Sequence, residues 1–430
     1  MKILVIGDIF IDTHTDISEK KVNRIGGIFH AIRGLSAFDV NSSLIYCATE
    51  FMNEYIDKYK QQLNIVDAYH CFKRTGSPGI FIIDHSNELH DNRYEYILPE
   101  EERVEFIPDS MTSINFEEIT DALVFPGTYD LEPVLHLLKT HNIKTHIDMQ
   151  YEDLDNISQY DIETLFISIS STKIQKQIEN YLHQNNNWNT AVLKENRGGS
   201  KVLTSSGETY QIPSFLLGSI HSVGVGDVYN ATYLCHKNRD LNTEESLLKA
   251  SYAAALYSNT LHFEKFQESL QVLDGYVPSK VNGVRVSYQD RENIHIYVAG
   301  PDFNNSQYTV YFDKIIEILH YHNFSGHLPI RENGNGDGKN QTEQADMYAK
   351  DLQLLDKCQI MIACGFENDA GTMAEIGYFK ANNKPVILFD PKNEVTNMFI
   401  RHTVNKTVNS LDKLLETVYR FSQEILRAKV

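Results

Sequence analysis

Two short stretches hold residue types whose spacing could do chemistry. The first, Ser222-Val223-Gly224-Val225-Gly226-Asp227, leads into Val228-Tyr229-Asn230 and the apolar run Ala231 to Leu234. A small-residue loop with two glycines, opening an amphipathic helix, turns backbone N–H groups and a helix N-terminus toward one spot that suits an anion. At the edge of that spot the Asp227 carboxylate could take a proton from an attacking hydroxyl while the amides hold phosphoryl oxygens. This is an arrangement for phosphoryl transfer. The second is Glu375, in the first turns of a helix that the pattern places over about Gly371 to Ala381, beside the end of an apolar strand at Gln359 to Ala363. Ligands of open α/β sheets gather at the carboxyl ends of strands. A Glu there can equally do no more than support a helix N-terminus, a contribution of about a few tenths of a kcal/mol.

The elements that must position these groups alternate along the chain. Ile3 to Ile6 is a continuous apolar run ending in Gly7-Asp8, the pattern of a parallel strand buried on both faces. Arg24-Ile25-Gly26-Gly27 precedes a helix through Leu35 to Phe38, and its paired glycines would let backbone approach a ligand. Gly79 to Asp84 and Tyr94 to Leu98, around a polar break, read as a hairpin. From Asp121 the runs Ala122 to Phe125, Thr145 to Ile147, Leu165 to Ile169 and Ala191 to Leu193 alternate with helical patterns such as Glu132 to Lys139. That alternation predicts a doubly wound α/β sheet, closed by helical segments from Thr243 to Asn259.

Asp274 to Asn293, with Gly275, Pro278, Gly283 and scattered charges, reads as an interdomain linker. A second α/β pattern starts with a strand at Ile294, followed by helices Tyr311 to His320 and Thr342 to Lys357 and a last strand at Pro385 to Phe389. Between the two helices, Arg331 to Gln344 reads as a mobile loop. It imitates an EF-hand and a P-loop, but Gln344 at position twelve excludes the first, and Asn333 and Asn340 in place of Gly and Ser/Thr exclude the second. The expected domains are residues 1–275 and 293–430, joined by 276–292.

Composition narrows the function. A chain of 430 residues with 42% hydrophobic content suffices for two cores. A net charge of −19 without a Lys/Arg-rich run argues against nucleic acid or an anionic membrane as partner. Cys47, Cys71, Cys235, Cys358 and Cys364 form no C-x-x-C pair and no metal-ligand cluster, so reduced core thiols and no protein-held metal are expected. No signal-peptide pattern precedes the first strand and no run reaches membrane-spanning length, so a cytoplasmic protein acting on small molecules is expected.

Ser222 to Asn230 resembles the second signature of the ribokinase or PfkB sugar-kinase family, D-T-x-G-A-G-D-x-F, over a resemblance that spans about residues 1 to 275. The resemblance implies a ribokinase-like sheet with a small β lid, ATP and Mg2+ as cofactors, Asp227 as base, and Gly224, Val225 and Gly226 as the anion hole. Gly7-Asp8-Ile9-Phe10-Ile11-Asp12 is similar to the segment that holds sugar hydroxyls, making Asp12 and then Asp8 candidate sugar contacts. Gly26 and Gly27 match the start of the first signature, G-G-A-A-N-V-A, where His30 replaces the usual Asn as either a ligand contact or a packed residue. Two departures stand out: Ser170-Ser171-Thr172-Lys173 where the family has Asn-x-x-Glu, and Lys194-Glu195-Asn196-Arg197-Gly198-Gly199 for the nucleotide loop T-L-G-x-x-G. Lys194, Asn196 and Gly199 are its candidate nucleotide contacts.

Ile296-Tyr297-Val298-Ala299-Gly300-Pro301 and Asp369-Ala370-Gly371-Thr372-Met373-Ala374-Glu375-Ile376-Gly377-Tyr378 resemble the nucleoside 2-deoxyribosyltransferase family, whose motif is D-x-G-x-x-x-E-x-G-Y. This resemblance covers about 292 to 430 and implies a smaller flavodoxin-like (Rossmann-like) α/β domain that uses no cofactor. By it Glu375 is the nucleophile at the anomeric carbon, Asp351 and Asp369 are catalytic carboxylates, and Tyr297 orients the nucleophile. Asp302 is a further substrate contact, and Asn397-Met398 resembles a pair that reaches a neighbouring subunit's site, so a homo-oligomer is expected.

Together these readings predict cleavage or exchange of the N-glycosidic bond of a nucleoside or nucleotide, coupled to an ATP-dependent sugar or nucleoside kinase-like domain. Two alternatives stand beside this: a nucleotide or NAD N-glycosidase gated by a non-catalytic ligand sensor, and a sugar kinase with a nucleoside-binding appendage.

Overall fold

The structure is a computed structural model and describes residues 2–15, 21–76, 79–83, 95–97, 103–239, 241–273, 276, 278–301, 306–334 and 338–428. The chain forms two compact units, the first reaching to Arg285 and the second starting at Val286.

In the first unit, strand β1 (Lys2–Asp8) is buried along its whole length. A strand covered on both faces has no use for alternation, which is why its sequence is continuously apolar. It pairs in parallel with β4 (Asn41–Ala48) on one side and β9 (Ile119–Val124) on the other. Beyond β9 the parallel series continues through β10 (Lys144–Met149), β11 (Ile162–Ser168) and β12 (Trp188–Lys194), and ends in antiparallel β13 (Ser200–Thr204) and β14 (Thr209–Ile212). On the other flank stand β5 (Ile65–Arg74) and antiparallel β8 (Val104–Phe106), giving ten strands in all. Strand order reverses between β1 and β9, so loops leaving those two strands diverge and open a crevice there.

Helices Phe29–Ser36 and Thr243–Tyr257 both pack against helix Val225–Lys237. The middle helix is therefore buried from Val228 through His236, polar residues included. A separate four-stranded sheet, ordered β3 (Lys21–Ile25), β2 (Ile11–Thr15), β6 (Ile80–Ile83), β7 (Glu95–Ile97), corresponds to the small lid. The predicted hairpin is its β6–β7 edge, paired from Ile80 with Ile97; Asp84, Tyr94 and Leu98 lie outside the described residues.

The second unit is one parallel sheet of β15 (His295–Ala299), β16 (Ser325–His327), β17 (Ile360–Cys364), β18 (Val386–Phe389) and β19 (Lys406–Val408), in the order β16-β15-β17-β18-β19. This flavodoxin-like order puts the crevice between β15 and β17. Strand β17 is buried throughout, and helix Ala370–Ala381 packs on it and on β18.

In the segment read as a linker, where the two units divide, Val284 forms a bridge with Ser214, and Arg291 is 0% exposed with its Nε donating to Val286 O. One expectation needs correction. The stretch read as a mobile loop has helical ends, because Pro329–Asn333 forms a turn of helix and Asn340 caps helix Gln341–Lys357 reciprocally with Glu343. That capping box is legible as Asn-x-x-Glu. All five cysteines are buried and none is in a disulfide. Among the described residues no helix is long and apolar enough to cross a membrane.

Candidate functional site

In the second unit the crevice brings together residues from three elements. Tyr297 projects from β15 and donates from Oη to Glu375 Oε1 at 2.5 Å. Glu375 stands on helix Ala370–Ala381, whose N-terminus follows the carboxyl end of β17. Burial raises its carboxyl to about 7, the Tyr297 hydroxyl pulls the other way, and the charges of Asp351 and Asp369 add to the rise. A carboxyl held there is half ionised at neutral pH, so it can serve as nucleophile without being an inert surface anion. Burial beside Glu375 also lifts the Tyr297 phenol well above its ordinary range, so it remains a hydrogen-bond donor.

Asp351 lies on helix Gln341–Lys357, where burial raises its carboxyl and Asn333 Nδ2 donates to its Oδ1 at 2.7 Å. Asp369 caps helix Ala370–Ala381, with its Oδ2 accepting from Thr372 N at 2.7 Å and Thr372 Oγ1 at 2.8 Å. It thereby fixes the start of the helix that carries Glu375, while its charge acts on Glu375. Asn397 caps helix Met398–Thr403 by accepting from Phe399 N and Ile400 N, and Met398 and Phe399 are exposed. Asp302 lies outside the described residues.

In the first unit Gly224 takes the left-handed conformation, φ 74°, to start helix Val225–Lys237 with Asp227 in its first turn. A Cβ on Gly224 would overlap the His30 ring, whereas one on Gly226 would meet only Lys194 Nζ, at 3.5 Å. Lys194, at the end of β12, donates to Asp148 Oδ2 at 2.5 Å, and Asn230 Nδ2 donates to the same oxygen at 2.6 Å. Burial and then the Asp148 charge raise Asp227 to about 7, with Lys194 opposing them. A cation beside a glycine loop at a helix N-terminus fits a phosphate group. Among the described residues no cluster of three or more His, Cys, Asp or Glu could hold a metal by itself; Asp148 and Asp227 are the carboxylates here that could contribute to holding a Mg2+.

Asp12 sits on lid strand β2 and is 2% exposed, with His30 Nε2 at 2.9 Å and Arg24 Nε at 3.6 Å from its Oδ2. Asp8 accepts from Thr128 N at 2.9 Å and pairs with Arg74 Nη2 at 3.3 Å, which ties the ends of β1, β5 and the loop after β9 together. Gly26 and Gly27 are dictated by close approach, since a Cβ on either would overlap Asp12 or the Asp8 carbonyl. Asn196, φ 52°, and Gly199, φ 105°, form the tight turn from β12 to β13. Ser171, in the segment that departs from Asn-x-x-Glu, caps helix Thr172–Gln184.

Residues 296–411 match the nucleoside 2-deoxyribosyltransferase family model. The match lies wholly in the second unit and spans Tyr297, Asp351, Asp369, Glu375 and Asn397. No curated protein matches the chain in sequence. Among solved structures the chain is similar to a ribokinase of Thermotoga maritima, at 16% identity over 64% of this chain and 99% of that one, with a TM-score of 0.46. It is also similar to phosphofructokinase-2 from Escherichia coli, at 13% identity, 64% and 100% coverage and a TM-score of 0.49. A third is the nucleoside kinase of Methanocaldococcus jannaschii, a member of the ribokinase family, at 16% identity, 64% and 98% coverage and a TM-score of 0.44.

Sequence reading missed Asp148, Asn333, and the buried set Arg24, His14, His221 and Tyr257. Asp148 had a signal, being an acid near the carboxyl end of an apolar strand. For the others, some of which stand beside quoted motifs, nothing in the sequence names the partners, because they meet only through folding.

Proposed function

We propose that the deoxyribosyltransferase-type domain breaks the N-glycosidic bond of a nucleoside or nucleotide through Glu375. The carrying observation is the 2.5 Å bond from Tyr297 to Glu375 beside two further carboxylates in the sheet's crevice. Glu375 attacks the anomeric carbon as the bond from that carbon to the base nitrogen breaks, forming a glycosyl ester. Asp351, kept protonated more readily by burial, gives the departing base its proton. Tyr297 holds the attacking oxygen in place, and Asp369 fixes the helix. Water or a second base then releases the sugar, so hydrolysis and transfer share the first step.

For the first unit the reading is phosphorylation of a sugar or nucleoside. Bound ATP with Mg2+ would supply the phosphoryl group. The amides of Gly224, Val225 and Gly226, with Lys194, would hold its phosphates, and Asp227 would take the acceptor's proton. The engagement of Asp12 by His30 and Arg24 favours a second reading, in which this unit binds a ligand without phosphorylating it and governs the glycosidic reaction. Chromatography of the protein with nucleosides, nucleotides and NAD, with and without ATP, tests both. Free base released by wild type and lost in Glu375→Ala supports the main reading. No base from any substrate sinks it. A phosphorylated product lost in Asp227→Ala selects the kinase over the sensor.

A further inference from the structure

Between the lid and the body of the first unit, buried basic groups outnumber acids. Asp12 and His14 come from β2, Arg24 from β3, His30 and Arg33 from helix Phe29–Ser36, His221 from the loop before Gly224, and Tyr257 from helix Thr243–Tyr257. All are at most 8% exposed. They form one cluster: the His14 and His221 rings lie 5.7 Å apart, His30 Nδ1 is 2.7 Å from Tyr257 Oη, and Arg24 Nη1 donates to the same hydroxyl at 3.3 Å. Arg24 also donates to Val223 O and Arg33 to Ile25 O. Two guanidiniums and three imidazoles thus surround one carboxylate, with Asp227 the next acid within electrostatic reach.

Five buried nitrogens of this cluster make no hydrogen bond; Arg24 Nε and His30 Nε2 face the Asp12 carboxylate as ion pairs, which leaves His14 Nε2, His221 Nδ1 and Arg33 Nη1. Leaving such an atom unpaired is unfavourable, and a ligand group bonded to it would offset that cost. His221 Nε2 lies 3.0 Å from the carbonyls of both Tyr257 and Thr260, so it carries the ring proton and leaves Nδ1 a bare lone pair. Asp12, which a neutral polyol would need as an acceptor for its hydroxyls, is held by His30 and Arg24.

We propose that this cluster receives the acidic group of an anionic, sugar-sized ligand, a phosphomonoester or a carboxylate, on Arg33, His14 and His221. The inference rests on reading the first unit as a ligand-binding, kinase-like unit. Because Asp12, His14 and Arg24 ride on the lid, entry requires the lid to lift. Binding also takes up protons. Burial and the guanidiniums of Arg24 and Arg33 hold His14 down at about 3, and burial with Arg24 holds His221 well below its ordinary range. An anion on either ring favours its imidazolium form, which a polyol does not.

Titration calorimetry of the full chain tests this with ribose, ribose 5-phosphate and ribonate, each at pH 6.5 in two buffers of different ionisation enthalpy, and with ATP separately. Expected is at least a tenfold tighter binding of one anion than of ribose, the tighter anion identifying the acidic group. Proton uptake should fall in His14→Gln, and affinity should drop about tenfold in Arg33→Gln, with Arg33→Lys retaining part of it. Glu375→Gln should bind as wild type does, locating the site in the first unit. Ribose binding as tightly as either anion, no binding of any of the three, or binding lost in Glu375→Gln and kept in Arg33→Gln overturns the proposal. In each of those cases ATP binding leaves the kinase-like reading standing, and its absence removes that reading too.

Discussion

Replacing Tyr297 by Phe removes one hydroxyl and keeps the ring that packs in the β15 core, so it isolates the hydrogen bond to Glu375. That bond stabilises the carboxylate, and its loss should push the Glu375 carboxyl further up from about 7. A hydrogen bond to a charged group is worth about 1.5–3 kcal/mol, or roughly one to two pH units. The variant should therefore titrate near pH 8–9, with the ionised share at pH 7 falling from about half to between roughly one in ten and one in a hundred. Base release at pH 7 should fall about five- to fiftyfold and recover as the pH is raised toward 9. The assay is the pH–rate profile of base release, with carbon-13 NMR of the labelled Glu375 carboxyl as a readout that needs no turnover. An acid limb that stays in place or moves to lower pH would refute the assignment of Tyr297 as the group that holds the nucleophile ionised.

The same carboxyl makes stability depend on pH. A Glu held at about 7 in the folded chain and at 4.5 when unfolded keeps its proton longer folded, so its contribution is full below pH 4.5 and lost as pH rises to about 7, a cost of about 3 kcal/mol above that. Glu375→Gln should accordingly stabilise the second unit at pH 8 and leave it unchanged near pH 4 in denaturant unfolding; equal effects at both would contradict this. Gly224→Ala should destabilise the first unit by about 1–3 kcal/mol, since it forces a left-handed residue against the His30 ring. Gly226→Ala should leave unfolding unchanged while weakening ATP binding, because its Cβ meets only Lys194 Nζ; ATP affinity equal to wild type would remove the loop as a phosphate site. Met398→Asp with Phe399→Asp should convert an oligomer into monomers by sedimentation, since both side chains are exposed beside Asn397; unchanged mass would place assembly elsewhere.

Local pattern sufficed for the two α/β units and for the stretches on which chemistry was expected. Buried parallel strands such as Lys2–Asp8 and Ile360–Cys364 announce themselves as unbroken apolar runs, and a glycine loop before a helix announces an amide-lined turn. Glu375 could be placed at a strand end because that relation is local in the chain. What only the tertiary structure decided is which charges meet. Lys194 and Asn230 reach Asp148 across 46 and 82 residues, and Arg24 meets Tyr257 across 233. No periodicity encodes such distances, since they follow from how the strands are ordered and how the lid lies over helix Phe29–Ser36. For the same reason Asp12 was legible as an acid near a ligand site, whereas its burial between His30 and Arg24 was not. Sequence placed the titratable groups on their elements; packing determined which of them is free to bind and which already has its partner.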